Sequence, residues 1–204
     1  MITLLKNGRV YDPTSGKDGV VQDIYIKNGR IIAKPSASEK ITQTYDLTGK
    51  VVMAGAIDIH SHIGGGKVNI ARMLLPEYQE TKKYTEPEAH VCTPSCSHNA
   101  TPSATDTGFR YIEMGYTAAF EPALMPVNAR QTHLEMADTP MIDKGGYAML
   151  GNDDYFLRML TAKKDQKAIN DYVAWILNAT QSIGIKVVNP GGINAFKFNQ
   201  RRLD

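Results

Sequence analysis

The run Ile57-Asp58-Ile59-His60-Ser61-His62 constrains this chain more than any other, because its alternation places two imidazoles on one face of an extended segment. His60 and His62 can therefore point at one divalent cation, and imidazole nitrogen suits zinc, iron or nickel. The pair follows the apolar stretch Val51-Val52-Met53-Ala54-Gly55-Ala56 and precedes Ile63-Gly64-Gly65-Gly66. That context reads as a buried strand delivering two ligands from its C-terminal end into a glycine-rich loop. An isolated His-x-His pair is commonly chance, so its weight depends on the surrounding chain.

Upstream, Asn7-Gly8 and Asn28-Gly29 are two-residue turn signals flanked by alternating or β-branched residues. They predict two β-hairpins over residues 2 to 34, and residues 41 to 53 add another strand or two. Residues 1–54 are expected to form a small β domain. Farther on, barrel-like strands are expected near 51 to 60, 116 to 121, 147 to 151 and 184 to 189, separated by helices. From Asp165 to Ser182, Ile169, Tyr172, Val173, Ile176 and Leu177 recur at helical spacing with Trp175 beside them, and Gly184 is expected to end that helix.

The predicted class is thus α/β, a partial TIM-like (β/α)8 barrel in residues 55–204 preceded by a small N-terminal β-layer. With 204 residues the chain is short for a complete barrel, which takes about 250. About half a barrel is expected, either a truncated piece or one completed by another chain, since open strand edges and an exposed apolar face invite association.

The formal net charge is +2 and the basic residues are dispersed, which argues against a nucleic-acid surface; Lys197, Arg201 and Arg202 make too short a cluster to change that. No apolar run is long enough to span a bilayer and no leader is evident, so a cytoplasmic location is expected. The two cysteines lie in His90-Val91-Cys92-Thr93-Pro94-Ser95-Cys96-Ser97-His98. His90, Cys92, Cys96 and His98 match the donor types of a structural zinc site, but the C-x3-C spacing is less usual than C-x2-C and the close His-Cys pairs strain tetrahedral closure, which favours a surface loop with free thiols. A standing disulfide would be unusual in the cytosol.

Lys186 stands in the otherwise apolar run Ile185-Lys186-Val187-Val188. Burying an ammonium costs several kcal/mol unless it is paired or neutralised. Either the side chain reaches an edge or something at the strand end changes its charge.

The segments Leu4–Pro13, Asp23–Ile32 and Tyr45–Asp58, leading into the His-x-His pair, resemble the opening of the amidohydrolase superfamily. Four further segments, His62–Arg72, Gly115–Ala123, Asn128–Glu135 and Gly184–Gly192, resemble the amidohydrolase component of formylmethanofuran dehydrogenases. They resemble still more its counterpart in the formyltransferase/hydrolase complex of methylotrophic bacteria. Members of that family are longer than this chain. The resemblance implies two zinc ions bridged by a carboxylated lysine, with His60, His62 and Lys186 as metal ligands. Lys197, between aromatic residues, is the alternative bridging lysine.

It further implies a zinc-dependent hydrolase acting on the N-formyl bond of a methanofuran-type carrier, releasing or condensing formate in one-carbon metabolism. The implied partners are the other subunits of such a complex and the small-molecule carrier. No catalytic acid or base is assigned within the chain; the family's aspartate is expected beyond Asp204, so this chain alone is expected to be inactive.

Lys67, Asn69 and Arg72, after the glycine run, are candidates to hold an anionic carrier tail, and His133 and Asn189 are candidates for substrate contact. Asp58 either orients a histidine from behind or caps a neighbouring backbone group. Two other classes compete: a non-catalytic subunit serving as scaffold, and another cyclic-amide hydrolase of the dihydroorotase or hydantoinase kind. The second should lack the Lys-Val-Val-Asn-Pro-Gly-Gly motif that begins at Lys186.

Overall fold

A computed structural model of the chain describes residues 1–74 and 104–188. The predicted loop ligands His90, Cys92, Cys96 and His98, together with Asn189 and Lys197, lie outside the described residues. The chain divides into two compact units, Met1–Gly55 and Ala56–Asp204.

In the first unit, β1 (Ile2–Asp12) pairs antiparallel with β2 (Lys17–Lys27), which pairs with β3 (Arg30–Ile32). On its other edge β1 runs parallel first to β4 (Gln43–Asp46) and then to β5 (Val51–Met53). Asn28 and Gly29 carry φ of 52° and 72° and join Lys27 to Arg30, the two-residue hairpin that the sequence predicts.

Asn7-Gly8 is a correction. It is no hairpin turn but a bulge inside β1, where the register to β2 jumps between Leu5 and Gly8. Asn7 holds a φ of 61° because its backbone N–H donates to Asp23 Oδ1 at 3.0 Å and its side chain to Asp46 Oδ1 at 3.3 Å. The bulge falls where the parallel neighbour of β1 changes from β4 to β5. The chain reverses instead at a single 3-10 turn, Pro13–Ser15, capped by Asp12 and closed by Gly16 at φ 67°.

The second unit holds a parallel sheet in sequential order: β6 (Ala56–Asp58), β7 (Tyr116–Leu124), β8 (Asp143–Met149) and β9 (Gly184–Lys186). The intervening helices are α1 (Gly66–Met73), α2 (Ala104–Glu113), α3 (Ala129–Ala137), α4 (Asp154–Thr161) and α5 (Gln166–Thr180). This is the alternation of a partial (β/α)8 barrel. One core joins Ile63, Ala119, Leu124, Ala129, Met136 and Ile142. A second joins Ala148, Leu150, Phe156 and Ile176, with Ile169, Tyr172 and Val173 packed on it, so the predicted face of α5 is the buried one.

Several boundaries differ from expectation. The strand foreseen over 51 to 60 is two, because Ala54-Gly55 separates β5, which serves the first sheet, from β6, which opens the second. β8 begins at Asp143 rather than 147, since Gly145 and Gly146 belong to it. Glycine is a poor strand former, but a Cβ at Gly145 would lie 2.9 Å from the Phe120 ring and one at Gly146 2.8 Å from Leu124 Cδ1, so both positions exist to admit β7 side chains. α5 ends at Gln181, which takes the left-handed conformation at φ 52°; Gly184 already belongs to β9. Among the described residues, no helix is long and apolar enough to cross a membrane.

Candidate metal centre

The residues of interest gather where active sites of such barrels form, beyond the carboxyl ends of the strands. β6 ends at Asp58 and releases His60 and His62. Glu121 lies in the C-terminal half of β7, and Lys186 is the last residue of β9. The two histidine rings meet edge to face, with centroids 5.6 Å apart. Lys186 Nζ donates to His60 Nδ1 at 3.1 Å, and His62 Nδ1 lies 2.9 Å from Glu121 Oε1.

Among the described residues Lys186 is half-buried, with its neighbours Ile185 and Val187 exposed.

The chain leaves β6 through a tightly held turn. Asp58 Oδ1 accepts from the His60 backbone N–H at 3.0 Å, and Asp58 Oδ2 from the Tyr111 hydroxyl at 3.4 Å. Asp58 therefore caps backbone in the segment that carries the histidines. Tyr111 also bonds the Ser61 hydroxyl. Burial pushes the Tyr111 hydroxyl above the ordinary tyrosine range, with the Ser61 bond opposing it.

Three consecutive backbone N–H groups then point at two buried carboxylates. Ile63 and Gly64 donate to Glu121 Oε2 at 2.9 and 3.3 Å, and Gly65 donates to Glu135 Oε2 at 2.7 Å. Both glutamates are 1% exposed. The glycines let this turn press onto α3, where a Cβ at Gly65, at φ 96°, would stand 2.8 Å from Thr132 Oγ1.

Asn69 and Arg72 belong to the same support. Asn69 Nδ2 donates to Glu135 Oε1 at 2.7 Å, and Arg72 donates to the Ile63 carbonyl at 2.9 Å and to Asn69 Oδ1 at 3.1 Å. Burial lowers the Arg72 pKa, while Glu135 and Glu121 counter it. Lys67 is exposed on α1. His133 sits within α3, its Nε2 2.8 Å from the Thr180 carbonyl at the end of α5, and so ties two helices together.

Sequence reading passed over Glu121 and Glu135. A signal existed for the first, since an acidic residue inside Ala118-Ala119-Phe120-Glu121 raises the same burial question as Lys186. Glu135, on a helix of mixed polarity, offered none.

Two imidazoles suit a first-row cation, but the ammonium of Lys186 has only protons to offer. The donor set fits a metal once Lys186 carries an acceptor group in place of its charge. Among the described residues, no group of three or more His, Cys, Asp or Glu side chains is placed to hold a metal ion.

With strands, helices and strand-end residues in this arrangement, the chain belongs to the amidohydrolase family, whose pattern it matches over residues 43–200. The FhcA component of the formyltransferase/hydrolase complex of Methylorubrum extorquens is 44% identical over 205 residues, covering 100% of this chain and 35% of the relative. Protein FwdA of Methanocaldococcus jannaschii is 41% identical over 197 residues, covering 97% of this chain and 33% of its own length. Among solved structures, the crystal structure of the formyltransferase/hydrolase complex FhcABCD from Methylorubrum extorquens, in complex with methylofuran, superposes with a TM-score of 0.80 at 44% identity. That match covers 98% of this chain and 35% of the matched one. The chain thus spans about a third of the length of these relatives.

Proposed function

We propose that this chain is the metal-ligand-bearing N-terminal part of a zinc-dependent amidohydrolase acting on the N-formyl bond of a methanofuran-like carrier. The observation that carries the reading is the convergence of His60, His62 and Lys186 beyond the ends of β6 and β9, with Lys186 Nζ 3.1 Å from His60 Nδ1. The whole-chain similarity to a relative whose solved complex contains methylofuran supports the substrate class.

His60 and His62 would supply nitrogen ligands, and Lys186, carboxylated on Nζ by carbon dioxide, would supply bridging oxygens. Carboxylation replaces a cation with an anion, which turns repulsion of a metal into coordination. Zinc bound there would polarise the formamide carbonyl and acidify a water. The chain's own residues hold the ligands: Asp58 fixes the turn into His60, Glu121 and Glu135 fix the turn after His62, and Arg72 locks the Ile63 carbonyl. Other subunits of a formyl-transferring complex are the proposed partners, and a cytoplasmic location goes with this reading.

Native mass spectrometry of the protein purified from its own host tests it. Two zincs together with the added mass of one carbon dioxide on Lys186 are expected. A protein free of metal, with unmodified Lys186, would leave the scaffold reading in its place.

A further inference from the structure

Glu121 is 1% exposed, and three backbone N–H groups and the His62 Nδ1 meet its two carboxyl oxygens. Oε1 accepts from Ala123 N at 2.8 Å and faces His62 Nδ1 at 2.9 Å; Oε2 accepts from Ile63 N at 2.9 Å and Gly64 N at 3.3 Å. The backbone donors occupy the acceptor sites on both oxygens and come from both strand ends, β6 and β7. His62, by contrast, leaves 54% of its side chain exposed, and among the described residues this is the one polar contact of its ring.

We infer that Glu121 is the positioning residue of His62: it fixes the ring proton on Nδ1 and turns Nε2, with its lone pair, outward as the metal-facing atom. A carboxylate already meeting three backbone N–H donors has only acceptor capacity to offer, so the His62 nitrogen facing it is the one that carries the ring proton. Buried partners of this kind orient a ligand imidazole and raise its basicity. The same carboxylate caps Ile63 and Gly64, so the path of the glycine turn and the aim of His62 are set by one group. Glutamine is a poor substitute, because its N–H2 would face the Ile63 and Gly64 N–H groups in one orientation and the Ala123 N–H in the other, where it could also donate to an unprotonated His62 Nδ1 and release the tautomer. The inference rests on the metal reading of His62 but not on which substrate is used.

The test uses the chain with 15N-labelled histidine, without metal, and a His62→Gln difference spectrum for assignment. The His62 ring is expected in the Nδ1–H tautomer, with Nε2 unprotonated; the Nε2–H tautomer would overturn the inference. Zinc affinity is then measured by chelator competition for the wild type, Glu121→Gln and Glu121→Asp. Glu121→Gln is expected to weaken zinc binding by about 10- to 100-fold and to disperse the tautomer, and Glu121→Asp to recover part of both. A Glu121→Gln protein with a wild-type circular dichroism spectrum, zinc affinity and ring tautomer would also overturn it. Should Glu121→Gln fail to fold, the wild-type ring spectrum decides alone. Absence of zinc binding by the wild type would instead sink the metal reading, leaving the tautomer measurement to judge Glu121.

Discussion

Lys186 Nζ stands 3.1 Å from His60 Nδ1 although 126 residues separate them and, among the described residues, β6 and β9 lie at opposite ends of the parallel sheet. In a flat sheet, three strand spacings of about 4.8 Å would put β6 and β9 about 14 Å apart. The contact is possible because the sheet curls and the lysine, with its four-carbon stem, reaches across the concave side. Curvature, rather than proximity in sequence, brings Lys186 into hydrogen-bond contact with His60.

Substituting Lys186 with alanine or with arginine is expected to abolish zinc retention to a similar extent. Arginine keeps the positive charge, and its guanidinium, protonated at all ordinary pH, offers no acceptor. Elemental analysis of the purified variants checks this; an arginine variant that holds wild-type metal would refute the ligand role of Lys186.

Gly108→Ala is expected to destabilise the fold by about 1–3 kcal/mol. In a helix interior alanine is better than glycine by about 1 kcal/mol, so propensity alone favours the variant. The added Cβ, however, would lie 2.1 Å from the Pro140 carbonyl oxygen and 2.8 Å from its nitrogen, and backbone atoms there cannot give way. A lowered midpoint in thermal or urea unfolding is the expected result.

Tyr172 carries a pH dependence of known sign. Burial, with its hydroxyl donating to Asp153 Oδ1 at 2.9 Å, pushes its pKa from 10.0 to about 12. The unfolded chain therefore releases this proton first as pH rises. The stabilisation is full below about pH 10 and is lost as pH rises through about 12. The decline in unfolding midpoint over that window is expected to be shallower in Tyr172→Phe, and an unchanged slope would refute the assignment.

Asn69→Ala is expected to lower stability by about 1–3 kcal/mol, because it strips a donor from the buried Glu135 and a partner from Arg72. An Asn69 that instead held a carrier tail would show an unchanged unfolding midpoint and weaker carrier binding. Comparing thermal unfolding with carrier affinity separates the two.

Much of this arrangement was legible in local pattern. Helical spacing identified the buried face of α5 and an ammonium in an apolar run singled out Lys186 for attention, whereas the strand expected to carry His60 and His62 ends at Asp58 and leaves both in the segment beyond it. What pattern missed was tertiary. Asn7-Gly8 reads as a turn because its residues tolerate positive φ, yet a bulge makes the same backbone demand, and only the neighbours β4 and β5 decide between them. Gly145 and Gly146 read as strand breakers until the Phe120 and Leu124 side chains that need their space are known.

The sequence by itself determined which residue types stand at strand ends and with what period, since those depend on neighbours two to four positions away. Tertiary structure alone decided that Lys186 meets His60, that Asn69 and Arg72 brace the glycine turn, and that Glu121 faces His62. Each of those contacts depends on the register and curl of a sheet whose strands lie tens of residues apart, and hydrogen-bond partners at that separation leave no periodic trace in the chain.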